Sequence, residues 1–448
     1  ASSRLPLLIG VAPLSFGLDV MAGEPPREPS KALAAELHAR YGEACLEAAE
    51  RIREADVLLL CSGAGFSADS GLPTYSEIAS MEAYAEQGLC YHDFCTPKML
   101  QEHPDLFWGF WGSCFNSYRR TSPHEGYSII ERWAESRFRH SKVADEIRQE
   151  AKFLQPTGYD WQQSEFEPYS VTGQAGAFFA ITSNVDAHHY DWFHACEIRE
   201  CHGSVEFYQC AKAGAAACPG IFRAPTSGFA FAVDPATMRA AAGPALEASA
   251  AAQAGCAPEG ERATPLRHMP RAAAGPDASS AFRSNHPTCP FCGGPARPAV
   301  LMFDDADWQD NVPQLQRKQR WLHAVLNLCG IREDVLRVVI LEIGSGANVT
   351  TVRNSAEQIL RGCLSVGANA RLIRINPEFP LGDEDDFAPG GKFQTQVVSI
   401  VGRGLETLRR IDAALEGPAA GPPHGAPVVR RTDLSGPLTA ELLGGSQP

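Results

Sequence analysis

A chain of 448 residues is long enough for two or three domains' worth of core. Its composition, 44% apolar and 21% charged, is that of an ordinary globular protein. A formal charge of −14 argues against a dedicated nucleic-acid binder, because phosphate contacts need a basic face.

The same charge suits partners with lysine-rich surfaces, although an acidic balance serves solubility equally. No apolar run approaches the ~20 residues that span a bilayer, so no membrane association is expected. Residues 5–23 are apolar but broken by Pro6, Gly10 and Pro13, and lack the clean apolar centre of a secretory signal. The 14 cysteines are spread over the whole chain. Cys61, Cys114, Cys329 and Cys363 sit in apolar runs and read as buried free thiols. A reducing, intracellular compartment is expected, without a choice among cytoplasm, nucleus and organelle.

In chain order, residues 1–29 are rich in Pro and Gly and are expected to be a flexible N-terminal segment. Ser30 is a candidate N-cap for a helical pattern that continues to Ala55. Residues 57–61 form a continuous apolar run, as in the middle strand of a parallel sheet, and break into glycine at Gly63. Residues 77–160 are aromatic and helical in pattern, including FWGFWGSCF at 107–115. Further strands are expected at 177–182, 338–343 and 370–376, with a weaker one at 393–398, and helices at 353–361 and 404–415. Alternating strands and helices predict an α/β fold with a Rossmann-like parallel sheet and helices on both faces.

A small zinc-ribbon/helical domain is expected to interrupt that sheet. The Rossmann-like domain then comprises residues 30–203 and 297–416, with the helical insertion at 77–160. The small domain covers 204–296, with a flexible Ala/Pro/Gly-rich insertion at about 235–284, and 417–448 reads as a disordered tail.

Six constellations carry chemistry. GAGFSADSG at 63–71 follows a buried strand and opens a helix, where glycines admit a phosphate and the helix start favours negative charge. A plain strand-to-helix turn explains it equally. TSNVDAHH at 182–189 puts Asn184 and Asp186 at the carboxyl end of a strand, where ligands of open α/β sheets bind. Asp186 as an Asx turn or helix cap is the structural alternative, and His188 and His189 read as surface or packing histidines. In ECHGSVEFYQC at 200–210, His202 stands before a glycine turn and is a candidate general base.

Cys289 and Cys292 form a C-x-x-C knuckle followed by two glycines, and Cys210 and Cys218 supply a second, wider-spaced pair. Four thiolates would close a structural zinc site. Free or redox thiols are the alternative, and Cys201 and Cys256 are the substitutes if Cys218 is no ligand. Gly344 and Ser345 in LEIGSGANVTTVR, and Asn376 in RINP, end two further strands.

Taken in order, GAGFSADSGLP, TSNVD, HGS, the two cysteine pairs, RPAVLMF, the Gly-Ser-Gly loop and RINP resemble the sirtuin family of NAD-dependent protein deacylases, in a divergent form, over residues 50–412. The resemblance implies NAD as co-substrate and zinc as structural metal. It implies that Gly63, Ala64, Gly65 and Ser67 hold the NAD phosphates and adenosine side. Asn184 and Asp186 hold the nicotinamide end, Gly344, Ser345, Asn376 and Gly402 the adenosine, and Cys210, Cys218, Cys289 and Cys292 the zinc. His202 is the implied base and Asn184 a catalytic partner in acyl transfer from an acyl-lysine protein or peptide to ADP-ribose.

Three departures stand out. Thr74, Tyr75 and Ser76 replace an acidic residue, an aromatic and an arginine; Ser183 replaces a glutamine; and Phe303-Asp304-Asp305 replaces the Phe-Gly-Glu stretch that clamps a peptide as an added strand. Asp304 and Asp305 stand as either an attractor of a lysine-rich peptide or a solvated acidic loop. Mono-ADP-ribosyl transfer or NAD glycohydrolysis on the same scaffold, or a non-catalytic NAD-binding zinc module, are the competing functions. The oligomeric state is not read from the sequence.

Overall fold

The computed structural model describes residues 26–73, 88–153, 171–245, 268–269, 278–332 and 334–417. The first helical pattern divides into α1 (Lys31–Ala39) and α2 (Tyr41–Glu54), with the break at Arg40. Ser30 caps α1 by accepting from the Leu33 N–H at 3.3 Å. Strand β1 (Val57–Ser62) is buried along its whole length, and α3 (Ala64–Ala68) follows the glycine at its end. The aromatic region supplies α4 (Tyr91–Phe94), α5 (Pro97–Glu102), α6 (Pro104–Arg120), α7 (Glu125–Trp133) and α8 (Lys142–Phe153).

Next come β2 (Phe178–Thr182), β3 (Ile198–Glu200), β4 (Gly203–Cys210), β5 (Ile221–Arg223) and β6 (Ala296–Val300). The chain then returns through α9 (Val312–Ile331), β7 (Arg337–Ile343), α10 (Thr351–Ser365), β8 (Asn369–Ile375), β9 (Val397–Ile400) and α11 (Gly404–Glu416). The strand expected over 393–398 starts later. Gln396 N–H donates to the Phe393 carbonyl at 2.9 Å, which closes a short 3-10 turn over Gln394–Gln396 and delays pairing until Val397 meets Leu372.

The six-stranded sheet has the order β3-β2-β1-β7-β8-β9 and is parallel throughout. Helices α2 and α11 pack together on one face, and α9 and α10 cover the other. The order reverses between β1 and β7, which opens a crevice at their carboxyl ends. A second, antiparallel sheet has the order β5-β4-β6. It packs on α6 through an aromatic core of Phe107, Trp108, Trp111 and Phe115 with Tyr208, Phe231 and Phe282. Each such fully buried side chain contributes roughly 1.5–3 kcal/mol.

Within the segment expected as an insertion, the described residues are anchored. The Ala240 N–H donates to the Asp105 carbonyl, and Pro244 bridges to Ser284. Among the described residues no helix is long and apolar enough to cross a membrane.

Candidate functional site

Register aligns the ends of the six strands. Glu200 of β3 pairs with Thr182 of β2, Thr182 with Ser62 of β1, and Ser62 with Ile343 of β7. Ile343 pairs with Ile375 of β8, and Ile375 with Ile400 of β9. His202, Asn184, Gly63, Gly344, Asn376 and Gly402 each follow this row by one or two residues. Five of the six motifs, together with Gly402, therefore emerge along one edge of one sheet; the cysteine set lies apart, in the second sheet.

At the reversal of strand order the two glycine turns touch backbone to backbone. The Gly65 N–H donates to the Gly344 carbonyl at 2.9 Å. Gly344 has φ +67, and a Cβ there would lie 2.4 Å from the Phe66 nitrogen; one on Gly63 would lie 2.6 Å from the Ser345 Cα. No side chain fits at either contact. Asn376 braces the same corner, donating to the Ser345 carbonyl at 2.8 Å and accepting from the Glu378 and Phe379 N–H groups. Ala64 and Gly65 remain exposed while Ser67 is buried. Gly402 packs against Tyr41 and Thr407, on the β9 side.

Beside this turn lies a buried polar cluster. Ser67 Oγ donates to Asp186 at 2.5 Å and accepts from the Asn184 side-chain amide at 2.9 Å. Asp186 also accepts from the His188 N–H at 2.9 Å. The Asx turn and the shared cluster are thus one arrangement, with one oxygen of Asp186 used for each. Burial raises the Asp186 carboxyl, but His188 and the Ser67 hydrogen bond outweigh it and hold it below the usual carboxylate range.

His188 and His189 are fully enclosed. His189 Nε2 bonds Ser62 Oγ at 2.9 Å, and burial pulls the ring down to about 4, against the opposing pull of Asp186. A small cavity here is lined by Ala64, Ser67, Leu72, Pro73, Tyr118, Asn184, Val185 and Asp186. A larger cleft between α1, α2 and residues 381–399 contains none of the predicted site residues.

His202 sits where the chain leaves the large sheet for the small one. Cys201 donates its N–H to the Thr182 carbonyl at 2.8 Å, and the His202 carbonyl accepts from Leu301 at 2.9 Å. Gly203 has φ +76, and a Cβ there would lie 1.8 Å from the Ala299 oxygen, so only glycine allows β4 to meet β6 at this point. The imidazole is 5% exposed, and its Nε2 shares a 3.0 Å hydrogen bond with Thr351 Oγ1 at the start of α10. Two residues earlier, burial pushes the Glu200 carboxyl up to about 8, while hydrogen bonds from Gln314 and Tyr190 pull the other way.

The ligand atoms of Cys210, Cys218, Cys289 and Cys292 all lie within 4.8 Å of one another. The knuckle is closed by Cys289 donating to the Gly294 carbonyl and Gly293 donating to the Cys289 carbonyl. The Gly294 N–H, then the neighbouring thiols, draw the Cys292 thiol down to about 6. Four converging sulfurs with one already poised as thiolate fit a tetrahedral zinc ion in a closed, structural site. Cys201 lies apart, its thiol donating to the Thr182 carbonyl, and Cys256 falls outside the described residues.

Several features have no signal in the sequence motifs. Thr351 and Glu200 lie within two of the quoted motifs without being singled out there, and Tyr118 reaches the site from the aromatic helix α6. Beneath Ser345 lies a buried charge network, in which Arg374 pairs with Glu342 at 2.6 Å and Glu357 at 2.8 Å, and Arg353 pairs with Asp383 at 2.8 Å. Asp305 is held by a two-pronged pair with Arg297 at 2.7 Å and its side chain is buried, so its carboxylate is no solvated or peptide-attracting group; Asp304 is exposed. Thr74, Tyr75 and Ser76 lie outside the described residues.

No family model matches the chain. NAD-dependent protein deacylase 2 of Pseudomonas syringae pv. tomato is 39% identical over 66 residues, which are 14% of this chain and 27% of that protein. NAD-dependent protein deacylase 2 of Pseudomonas aeruginosa is 31% identical over 83 residues, 18% of this chain and 32% of that protein. The chain thus spans about a third or less of the length of these curated relatives. Among solved structures, a Sir2 homolog–NAD complex aligns with 83% of this chain and 93% of its own at 16% identity and a TM-score of 0.43. An ADP-ribose complex of a Sir2 homologue carrying a serine-to-alanine change aligns with 83% and 96% at 17% identity and a TM-score of 0.41. The chain is thus similar to two NAD-dependent protein deacylases over a short stretch of their length.

Proposed function

We propose that the chain is an NAD-dependent protein-lysine deacylase that cleaves NAD to nicotinamide and passes the acyl group to ADP-ribose. The observation that carries this reading is the row of strand ends, which puts a phosphate-sized glycine corner, an Asn–Asp–Ser cluster and a buried histidine on one sheet edge. The Gly63–Gly344 corner offers backbone close to a bound pyrophosphate. Gly65, Ser345 and Asn376 shape the adenosine side, with Gly402 at its far end.

Asn184 and the ionised Asp186 orient the nicotinamide end, and Asp186 suits a site where positive charge develops. Bound there, NAD supplies an electrophilic ribose carbon once nicotinamide leaves, and an acyl-lysine amide oxygen takes that position. His202 then accepts the proton of a ribose hydroxyl, which frees that oxygen to attack the acyl carbon; addition of one water then expels the lysine amine and leaves O-acyl-ADP-ribose. Enclosure at the junction of the two sheets keeps competing water away. Cys210, Cys218, Cys289 and Cys292 would hold zinc to fix the small domain, with no part in the chemistry.

The test incubates the full chain with NAD and acyl-lysine peptides and follows products by mass spectrometry. O-acyl-ADP-ribose is the expected product. Nicotinamide release without acyl loss would move the assignment to ADP-ribosyl transfer or glycohydrolysis, and NAD binding without turnover to a sensing module. His202→Ala is expected to abolish turnover and leave NAD affinity within about twofold; equal loss of both would contradict the base role.

A further inference from the structure

Of the four cysteines that converge at the end of the small sheet, Cys210 and Cys289 are buried and Cys218 is half-buried, whereas Cys292 is exposed. Cys292 is therefore the ligand that small electrophiles in solution reach first. Four thiolates around one divalent zinc ion leave negative charge in excess. Thiolate sulfur is a nucleophile, and a cation beside it draws that reactivity down.

Lys212 brings a cation to this place. It stands two residues past Cys210, where the chain leaves β4. The Ala211 N–H donates to the Pro295 carbonyl at 2.9 Å, which lays this stretch beside the knuckle. Gly294 marks the path of the lysine side chain. A Cβ on Gly294 would lie 2.8 Å from Lys212 Cε, 3.5 Å from its Nζ and 3.4 Å from Cys292 Sγ. Ammonium and exposed sulfur thus flank one point. Gly293 has φ +67 and needs glycine for its backbone, but Gly294 does not share that conformation. What the missing side chain of Gly294 provides is room for Lys212.

We propose that Lys212 protects the metal site: its ammonium stands beside the Cys292 sulfur, offsets part of the excess charge of a zinc tetrathiolate and lowers the reactivity of the exposed ligand. The role rests on the reading of the four cysteines as zinc ligands. The cross-link holds the sheet that begins at Gly203, so keeping the metal also keeps the junction at His202 in place.

The test follows zinc release from the full chain, purified with its metal, on addition of N-ethylmaleimide. The sulfur forms a bond to a maleimide carbon and gives up its bond to zinc. A chromophoric chelator reports the freed ion, and metal analysis beforehand gives the zinc content. Lys212→Met, which keeps the length without the charge, is expected to release zinc roughly threefold faster at low ionic strength, the scale of one exposed charge contact. Lys212→Arg keeps the wild-type rate. In about 1 M salt, which screens charges beyond a few ångströms, wild type and Lys212→Met converge. Gly294→Ala puts a methyl group where the lysine Cε lies, and in that background Lys212→Met is expected to lose most of its effect.

Equal low-salt rates for wild type and Lys212→Met overturn the proposal, as does an arginine variant as fast as methionine. An undiminished methionine effect in the Gly294→Ala background overturns it as well. Any of these in a chain that carries one zinc removes this inference alone. A wild-type chain purified without zinc removes the reading of the four cysteines with it.

Discussion

In the six-stranded sheet the central strands are buried on both faces, and β1, β2 and β3 expose no residue. Its core draws on helices from both sides, and even its charges are internal, as with Arg374 between Glu342 and Glu357. The three-stranded sheet has only eight, three and five residues per strand. It leans on the aromatic surface of α6 on one side and is clasped by four cysteines at its far end. The first sheet is stabilised by area removed from water, the second by a few aromatic contacts and a cross-link that needs an ion. The site lies at their seam, so it inherits the rigidity of one and the dependence of the other.

The largest expected effect follows from that difference. Cys289→Ser, or zinc removal by a strong chelator, should lose the single metal ion and unfold the small sheet, as loss of a structural zinc does elsewhere. Hydrogen exchange should accelerate across 203–223 and 296–300 and remain slow in β1 and β7. A wild-type chain that binds no metal and stays folded would remove the cross-link from the comparison.

A smaller but sharper effect tests the large sheet. Gly344→Ala forces a side chain into the Phe66 backbone at a positive φ, and should cost about 3 kcal/mol or more. Gly346→Ala, two residues on with nothing within 4 Å, should stay within about 0.5 kcal/mol. Equal denaturation midpoints for the two would mean that the glycine corner is looser than its geometry.

The smallest effect concerns pH at the seam. The Glu200 carboxyl is raised to about 8 when folded, so its contribution is full below the ordinary carboxylate range and is lost as pH rises toward 8. The unfolded chain releases this proton early, and the folded one late. Glu200→Gln keeps an oxygen to accept from Tyr190 and Gln314 and should raise stability at pH 8 by about 1 kcal/mol or more, with little change at pH 4. A variant destabilised equally at both pH values would show that the carboxyl proton is not what the site stores.

The sequence by itself determined the long strands of the parallel sheet, because 57–61 is apolar throughout and 338–343 is apolar but for Glu342, and a parallel sheet covered on both faces buries such runs. It also marked the glycines, the knuckle and the polar residues at strand ends, since each has a local conformational or chemical reason visible along the chain. The start of β9 was not legible, because local turn bonds at Gln394–Gln396 compete with pairing and their outcome depends on Phe393 and its neighbours. Nor was the fate of Asp305, which turns back from the loop after β6 to meet Arg297 within that strand.

Tertiary structure alone decided the register that puts five motifs and Gly402 on one edge, and the meeting of His202 with Thr351, 149 residues away in the chain. Such pairings are set by how helices and strands pack, and no periodicity along the chain records them.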